Sequence, residues 1–327
     1  MKNAITAVPG LKVGHAQDLR AGTGCTVILC EGGAAAGVDV RGGAPGTRET
    51  DCLNPMNLVP QVHAVYLGGG SAFGLDGACG VMKYLEERKI GFEVGVTRVP
   101  IVPGAVLFDL TVGDPFVRPD GPMGYRACLS ASAEDAQRGN VGAGTGATVG
   151  KAAGAAYMMK GGLGTASFQT QELIIGALMA VNCFGDVVDP STGEILAGAL
   201  NETGDGFRSC LELLASGRGS RDAFAGNTTI GAVATNARLS KAQATRVAIM
   251  AHDGLARAIN PVHTLNDGDT IFCLATGEVE ADVTAVGALA ARVVAQAVVD
   301  AVTQAESLYG FPCCREVRRR REESGNG

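Results

Sequence analysis

The chain reads as an α+β protein of stacked layers rather than a doubly wound parallel sheet. Three observations predict this. Short β-rich runs mix with Ala- and Gly-rich helical runs without a regular βαβ period. Hydrophobic residues make up 46% of the chain and charged residues 18%, against the usual ~25% for charge, which suits a large buried interior and subunit interfaces. Glycine, at 48 of 327 residues, is about twice its usual share of roughly 7% and follows no collagen period, so tight turns and close backbone approaches are expected.

In chain order, Cys25 to Cys30 and His63 to Leu67 have strand composition, the second running into the turn Gly68-Gly69-Gly70. Ser71 is placed to cap a helix reaching Lys89, with Gly91 just past its end. Pro100 to Leu110 reads as a loop with a short strand, followed by a helix around Tyr125 to Asp135. Gly139 to Ser167 is the most glycine-dense stretch, and Leu173 to Phe184 is an apolar strand. Residues 191–225 are polar and aperiodic, a connector expected to be mobile with one short helix.

The pattern then sharpens. Thr228 to Asn236 is β-like. Ser240 and Gln243 form a capping box for a helix whose Val247, Met250, Ala251, Gly254 and Ala258 share a face, and Asn260-Pro261 stops it. Thr270 to Ala275 is a strand, and Asp282 caps a long helix burying Val286, Leu289, Ala290, Val293, Val294 and Ala297. We read residues 1–317 as a single domain, with 318–327 a disordered charged tail.

Several functions are excluded. A net charge of −6 argues against nucleic-acid binding, which needs a surplus of Lys and Arg. No membrane segment is expected: Leu173 to Phe184 is too short and carries Asn182, and Val283 to Val299 is interrupted by Thr284, Arg292 and Gln296. Met1 to Gly14 lacks a signal-peptide core. The ten cysteines are scattered with no C-x-x-C pair, so reduced thiols in a cytoplasmic protein are expected, without a zinc site.

Four features carry candidate chemistry. The run Gly142 to Lys151 fails the phosphate-loop pattern at both ends, where Thr145 and Ala152 stand, and no acidic residue completes a dinucleotide fingerprint. It remains either a packing turn or a turn that carries Lys151 to a site. Asn266-Asp267-Gly268-Asp269 lacks the further ligands of a calcium loop; it is either a plain turn or a carboxylate pair that orients an amine. His15, His63, His252 and His263 are isolated and read as structural, so a Ser-His-Asp hydrolase is poorly supported. Finally, Gly226-Asn227-Thr228 lies where the connector meets an apolar strand. A Thr there can be an ordinary strand residue, or it can attack the preceding carbonyl and become an N-terminal residue that supplies both hydroxyl nucleophile and amine base.

Read together, these blocks resemble a known family. Val38 to Glu49, Leu67 to Leu75, Pro103 to Leu110, Gly142 to Lys151, Lys160 to Gly164 and Gly226 to Gly231 resemble, in the same order, the P1 peptidases. These are the DmpA-type L-aminopeptidase/D-esterases, with the β-peptidyl aminopeptidases and the nylon-oligomer endo-hydrolases. The resemblance implies an αββα four-layer sandwich of the DOM type and a self-cleaving precursor, cut between Asn227 and Thr228 into chains 1–227 and 228–327. It implies Thr228 as nucleophile, Asn182 as oxyanion donor, Lys151 as a functional lysine, and Tyr125 as an active-site tyrosine. Asp267 and Asp269 match the two aspartates of the nylon-oligomer enzymes, where the β-aminopeptidases carry Ser and Glu. Phe108 stands where the nylon-oligomer enzymes have a substrate-pocket tyrosine.

The implied activity is amide hydrolysis on small peptides, amides or amide oligomers, with no metal or organic cofactor, by a homo-oligomer expected to be a tetramer. Two alternatives are an acyltransferase of the ornithine-acetyltransferase type and a non-catalytic metabolite-binding protein. A binding module has no reason to cleave itself.

Overall fold

The computed structural model describes residues 2–134, 136–219 and 226–325. Its frame is one nine-stranded sheet system folded on itself through a single long strand. The strands are β1 (Lys12–Asp18), β2 (Thr23–Val40), β3 (Val62–Gly68), β4 (Gly104–Val106), β5 (Gly162–Gln169), β6 (Ile174–Asn182), β7 (Thr228–Ala237) and β8 (Thr270–Val279), with Thr47–Arg48 pairing on the edge of β4. The first half of β2 pairs with β1 and β3, and its second half with β8, so β2 runs from one sheet into the other. The second sheet has the order β5-β6-β7-β8, with β7 and β8 parallel.

Three apolar cores separate four layers. Alternate side chains point to opposite faces of a strand, so each sheet serves two cores. Leu178, Ala180, Ile230, Ala232, Phe272 and Leu274 meet Ile28, Val65 and Leu67 between the sheets. The intervening residues Ala177, Met179, Val181, Val233, Ile271 and Cys273 pack outward on helices α4 (Lys241–Ala258) and α5 (Val283–Thr303). On the far side, Cys25, Val27, Leu29, Ala64 and Tyr66 pack on α1 (Gly77–Glu87) and α2 (Gly121–Leu129). This is the expected αββα sandwich. All ten residues of β7 are buried, which explains why, apart from Asn236, it is made of apolar, Thr and Gly residues.

The caps of the last two long helices follow the sequence. Ser240 and Gln243 make a reciprocal capping box, and Asp282 accepts from the Ala285 N–H. By length and composition α5 is apolar enough to cross a membrane, and its buried face packs on α4, β5 and β6.

Three local expectations are corrected. Ser71 caps nothing: it has φ 54°, the chain makes a 3-10 turn over Ser71–Asp76, and α1 starts only at Gly77. The next helix starts earlier than expected because Asp120 accepts from the Met123 N–H, and it ends at Leu129; Asp135 lies outside the described residues. The charged tail is not disordered up to Gly325. Cys314–Gly325 forms helix α6, which buries Cys314 and Val317 and carries Arg320–Glu316 and Arg319–Glu323 pairs one turn apart. The connector 191–225 contains the short strand Ile195–Ala197 and helix α3 (Cys210–Ala215), and its residues 220–225 lie outside the described residues.

Candidate active site

The antiparallel register of β6 and β7 sets Asn182 directly opposite Thr228. Both share parity with the residues that point between the sheets, so both side chains stand at the end of the inter-sheet core. Parallel pairing of β7 with β8 continues beyond the strands into an Asn227–Asp267 bridge. Asn266 to Asp269 therefore wraps the start of β7. The Gly268 N–H donates to the Asn227 carbonyl at 2.9 Å, and the Thr228 hydroxyl donates to that same carbonyl. Thr228 is 4% exposed. The Asn227 side-chain amide is buried, with no hydrogen-bond partner for Oδ1 or Nδ2 among the described residues.

Lys151 enters from the glycine-rich turn. Gly150 has φ 72° and an added Cβ would fall 2.0 Å from the Gly198 carbonyl carbon, so only glycine lets this turn close. The turn is held from below by the buried Lys160, whose Nζ donates to the Gly144, Ala147 and Gly161 carbonyls at 3.0, 2.8 and 3.1 Å. Lys151 Nζ donates to Asn182 O at 3.1 Å, Asn182 Oδ1 at 3.0 Å and Gly226 O at 3.1 Å. Burial pulls its pKa down to about 8, with partial opposition from neighbouring negative charge including Asp267.

Asn182 is fixed at both ends of its amide. Oδ1 accepts from the Thr148 N–H at 3.0 Å and from Lys151, while Nδ2 donates to Phe108 O at 2.9 Å and to Gly226 O at 3.4 Å. Phe108 packs on the same segment, since an added Cβ on Gly226 would meet its Cβ and Cγ at 2.6 Å. The following residue, Asp109, is buried and anchors this strand end by accepting from the Gly70 N–H at 2.7 Å and the Thr23 hydroxyl at 2.7 Å.

The two carboxylates differ in their partners. Asp267 Oδ2 accepts from the Thr264 N–H at 2.9 Å and the Thr264 hydroxyl at 2.5 Å, and Oδ1 from the Phe184 N–H at 3.3 Å. Burial, and then the charge of Asp269, push its pKa up to about 6. Asp269 Oδ1 accepts from the Thr229 N–H at 2.6 Å, and Oδ2 lies 2.8 Å from His263 Nδ1. Carboxylates so placed can orient an amine at the head of β7. Among the described residues no group of three or more His, Cys, Asp or Glu side chains is arranged to hold a metal ion.

The structure thus brings together Thr228, Asn227, Asn182, Lys151, Asp267, Asp269 and Phe108. Tyr125 is not among them. It sits on α2 in the outer layer, donates to Glu87 at 2.7 Å, packs edge-on against Tyr84, and lines a surface hollow with Cys79 and Lys83. Helical packing against α1 decides its direction, which the Gly-Tyr-Arg tripeptide does not reveal. Sequence reasoning missed the Gly268 N–H and Thr264, which depend on how the turn folds back. It also treated His263 as isolated, although it is close to Asp269 in sequence.

Solved enzymes share this architecture. The chain superposes on the L-aminopeptidase D-Ala-esterase/amidase of Ochrobactrum anthropi with a TM-score of 0.73 at 19% identity, covering 99% of this chain and 94% of that one. That enzyme is described as a variant of the N-terminal-nucleophile (Ntn) hydrolase fold. A Burkholderia sp. β-aminopeptidase gives 0.68 at 22% identity, over 99% and 95%. The chain has the fold of these two enzymes.

Sequence goes further than fold. An uncharacterized aminopeptidase of Mycobacterium leprae is 46% identical over 338 residues, covering 95% of this chain and 92% of the relative. A 6-aminohexanoate-oligomer endohydrolase of Kocuria sp. is 31% identical over 315 residues, covering 90% and 84%. Residues 3–313 match Peptidase family S58, and the chain belongs to that family, as a hydrolase of amide bonds.

Proposed function

We propose that the protein is a self-processing amidohydrolase whose nucleophile is Thr228. The observation that carries this reading is the Asn227 carbonyl, held by the Gly268 N–H while the Thr228 hydroxyl lies against it. In the first step the hydroxyl oxygen bonds to the Asn227 carbonyl carbon and the negative charge developing on oxygen meets the Gly268 N–H. The Asn227–Thr228 C–N bond breaks, the hydroxyl proton goes to the departing nitrogen, and an ester remains. Water then hydrolyses the ester, leaving the Asn227 carboxylate and a free Thr228 amine, with chains 1–227 and 228–327 associated in one layered core.

Two features of the uncut chain favour this step. Among the described residues the buried Asn227 amide has no partner, and a buried group left unpaired typically costs ~1–3 kcal/mol, a cost relieved if the new end moves away. The same movement would free Lys151 Nζ and Asn182 Nδ2 from Gly226 O. Both donors would then face an incoming substrate carbonyl beside Gly268, while Asp267 and Asp269 hold the Thr228 amine that takes the hydroxyl proton. Phe108 lines the pocket. The substrates are small peptides, amides or amide oligomers, and the acyl-enzyme ester is released to water.

The active form in this reading is a homo-oligomer of processed protomers, a tetramer, in a cytoplasmic setting that suits ten free thiols. Light scattering at micromolar concentration checks the assembly, and a single-protomer mass refutes it. Intact-mass spectrometry during incubation tests the chemistry. Wild type and Thr228→Ser should yield the two chains, and Thr228→Ala should stay whole and inactive. Cleavage of Thr228→Ala at the same bond would overturn the assignment.

A further inference from the structure

His263 holds an unusual position. Its backbone is left-handed at φ 56°, a region in which Asn, Asp and His are the enriched residues after glycine. The ring Nδ1 lies 2.8 Å from Asp269 Oδ2, and the His263 N–H donates to the same oxygen at 3.2 Å. The other carboxylate oxygen takes the Thr229 N–H at 2.6 Å, one residue beyond Thr228. A carboxylate at Asp269 can only accept, so we assign Nδ1 as the donor in this pair. Behind it, His252 meets the His263 ring edge-on with centroids 4.9 Å apart, and His252 Nε2 sits 3.1 Å from the Asp39 carbonyl.

We propose that His263 is a positioning residue for the Thr228 centre: its Nδ1–H and His252 contact lock the Asp269 carboxylate that holds the start of β7. This rests on Thr228 being the nucleophile. Without the ring, Oδ2 keeps, among the described residues, only the longer backbone bond, and the carboxylate gains freedom to turn. The carboxylate would then no longer hold the Thr229 N–H in one place. The effect falls on alignment of the nucleophile and so on kcat more than on KM.

The test compares His263→Asn, His263→Gly and His263→Ser with Asp269→Asn and wild type. Asn tolerates the left-handed backbone and can bring a side-chain N–H to roughly the place of Nδ1. Gly removes the ring without backbone strain, and Ser falls short of Oδ2. Processing is followed by intact mass, turnover of fully processed enzyme with an aminoacyl p-nitroanilide, and folding by thermal unfolding. We expect His263→Asn within about threefold of wild type and the Gly and Ser variants down about 10–100-fold in kcat, the usual size for loss of a supporting shell, with KM within about twofold. The inference is overturned if either ring-deleted variant that folds keeps wild-type kcat while Asp269→Asn is impaired. It is equally overturned if His263→Asn is as impaired as His263→Gly. Wild-type turnover in Asp269→Asn and Thr228→Ala together would instead sink the nucleophile assignment.

Discussion

The Gly268 N–H donates to the Asn227 carbonyl oxygen across 2.9 Å, joining the turn between two carboxylates to the peptide bond that precedes Thr228. A backbone donor of this kind needs no side chain, only a turn that brings the amide to the carbonyl. Parallel pairing of β7 and β8 supplies that approach, because it continues as the Asn227–Asp267 bridge.

Gly268→Ala tests that donor. An added Cβ would lie 2.7 Å from Ala44 O and 2.9 Å from Thr228 Oγ1, and the Ala44 carbonyl is backbone that cannot swing aside. The turn must shift, and the amide with it. Loss of one oxyanion donor typically slows a reaction ~10²–10³-fold, so processing followed by intact mass should slow by at least about tenfold. Wild-type processing in a folded Gly268→Ala protein would exclude Gly268 as the donor.

Lys151→Met should fold and process slowly, because three acceptors lose the Nζ that ties Asn182 to Gly226. Its stability has a pH signature. The folded pKa of about 8 is below the ordinary 10.5, so between these values the unfolded chain binds more protons and wild-type stability rises with pH. The methionine variant lacks that rise. Urea unfolding at pH 7.5 and pH 10 should therefore show wild type gaining on the variant, by up to about 3 kcal/mol at full titration. A pH-independent difference would show that Lys151 is not held as a destabilised cation.

Asp267→Asn carries the opposite sign. The folded pKa of about 6 exceeds the ordinary 3.8, so in that window the folded chain binds more protons and wild-type stability falls as pH rises. The asparagine variant lacks the fall, and its stability relative to wild type should be better at pH 7 than at pH 4. On the proposed mechanism, processing or amide turnover should drop at the same time, because the charge that would hold the Thr228 amine is gone. Wild-type processing and turnover across pH would return Asp267 to the role of a turn residue.

Much of the site was legible because its chemistry is concentrated in short blocks. The Gly142–Lys151 run, the Asn-Asp-Gly-Asp turn and Gly226-Asn227-Thr228 each carry residue types whose combination is unusual, and the structure gathers all three at one strand end. Tyr125 shows the limit. Its tripeptide looked like part of the same site, yet packing against Tyr84 and the bond to Glu87 turn it to the outer layer. His263 shows the converse: it stands only 6 residues before Asp269, yet the fold alone set its ring against that carboxylate.

Local sequence by itself determined the elements whose signals are local. The Ser240–Gln243 box, the Asp282 cap and the apolar runs of β6, β7 and β8 form because nearby side chains and backbone amides satisfy one another, or because an uninterrupted apolar strand must be covered on both faces. Family resemblance carried the layer order in the same reading. Only the tertiary structure decided what meets at the head of β7. The partners there lie 31, 75 and 83 residues apart in the Lys151–Asn182, Lys151–Gly226 and Phe184–Asp267 contacts. Such meetings are set by strand register across two sheets. A shift of one residue would turn Thr228 and Asn182 away from each other's face, and no local propensity encodes that choice.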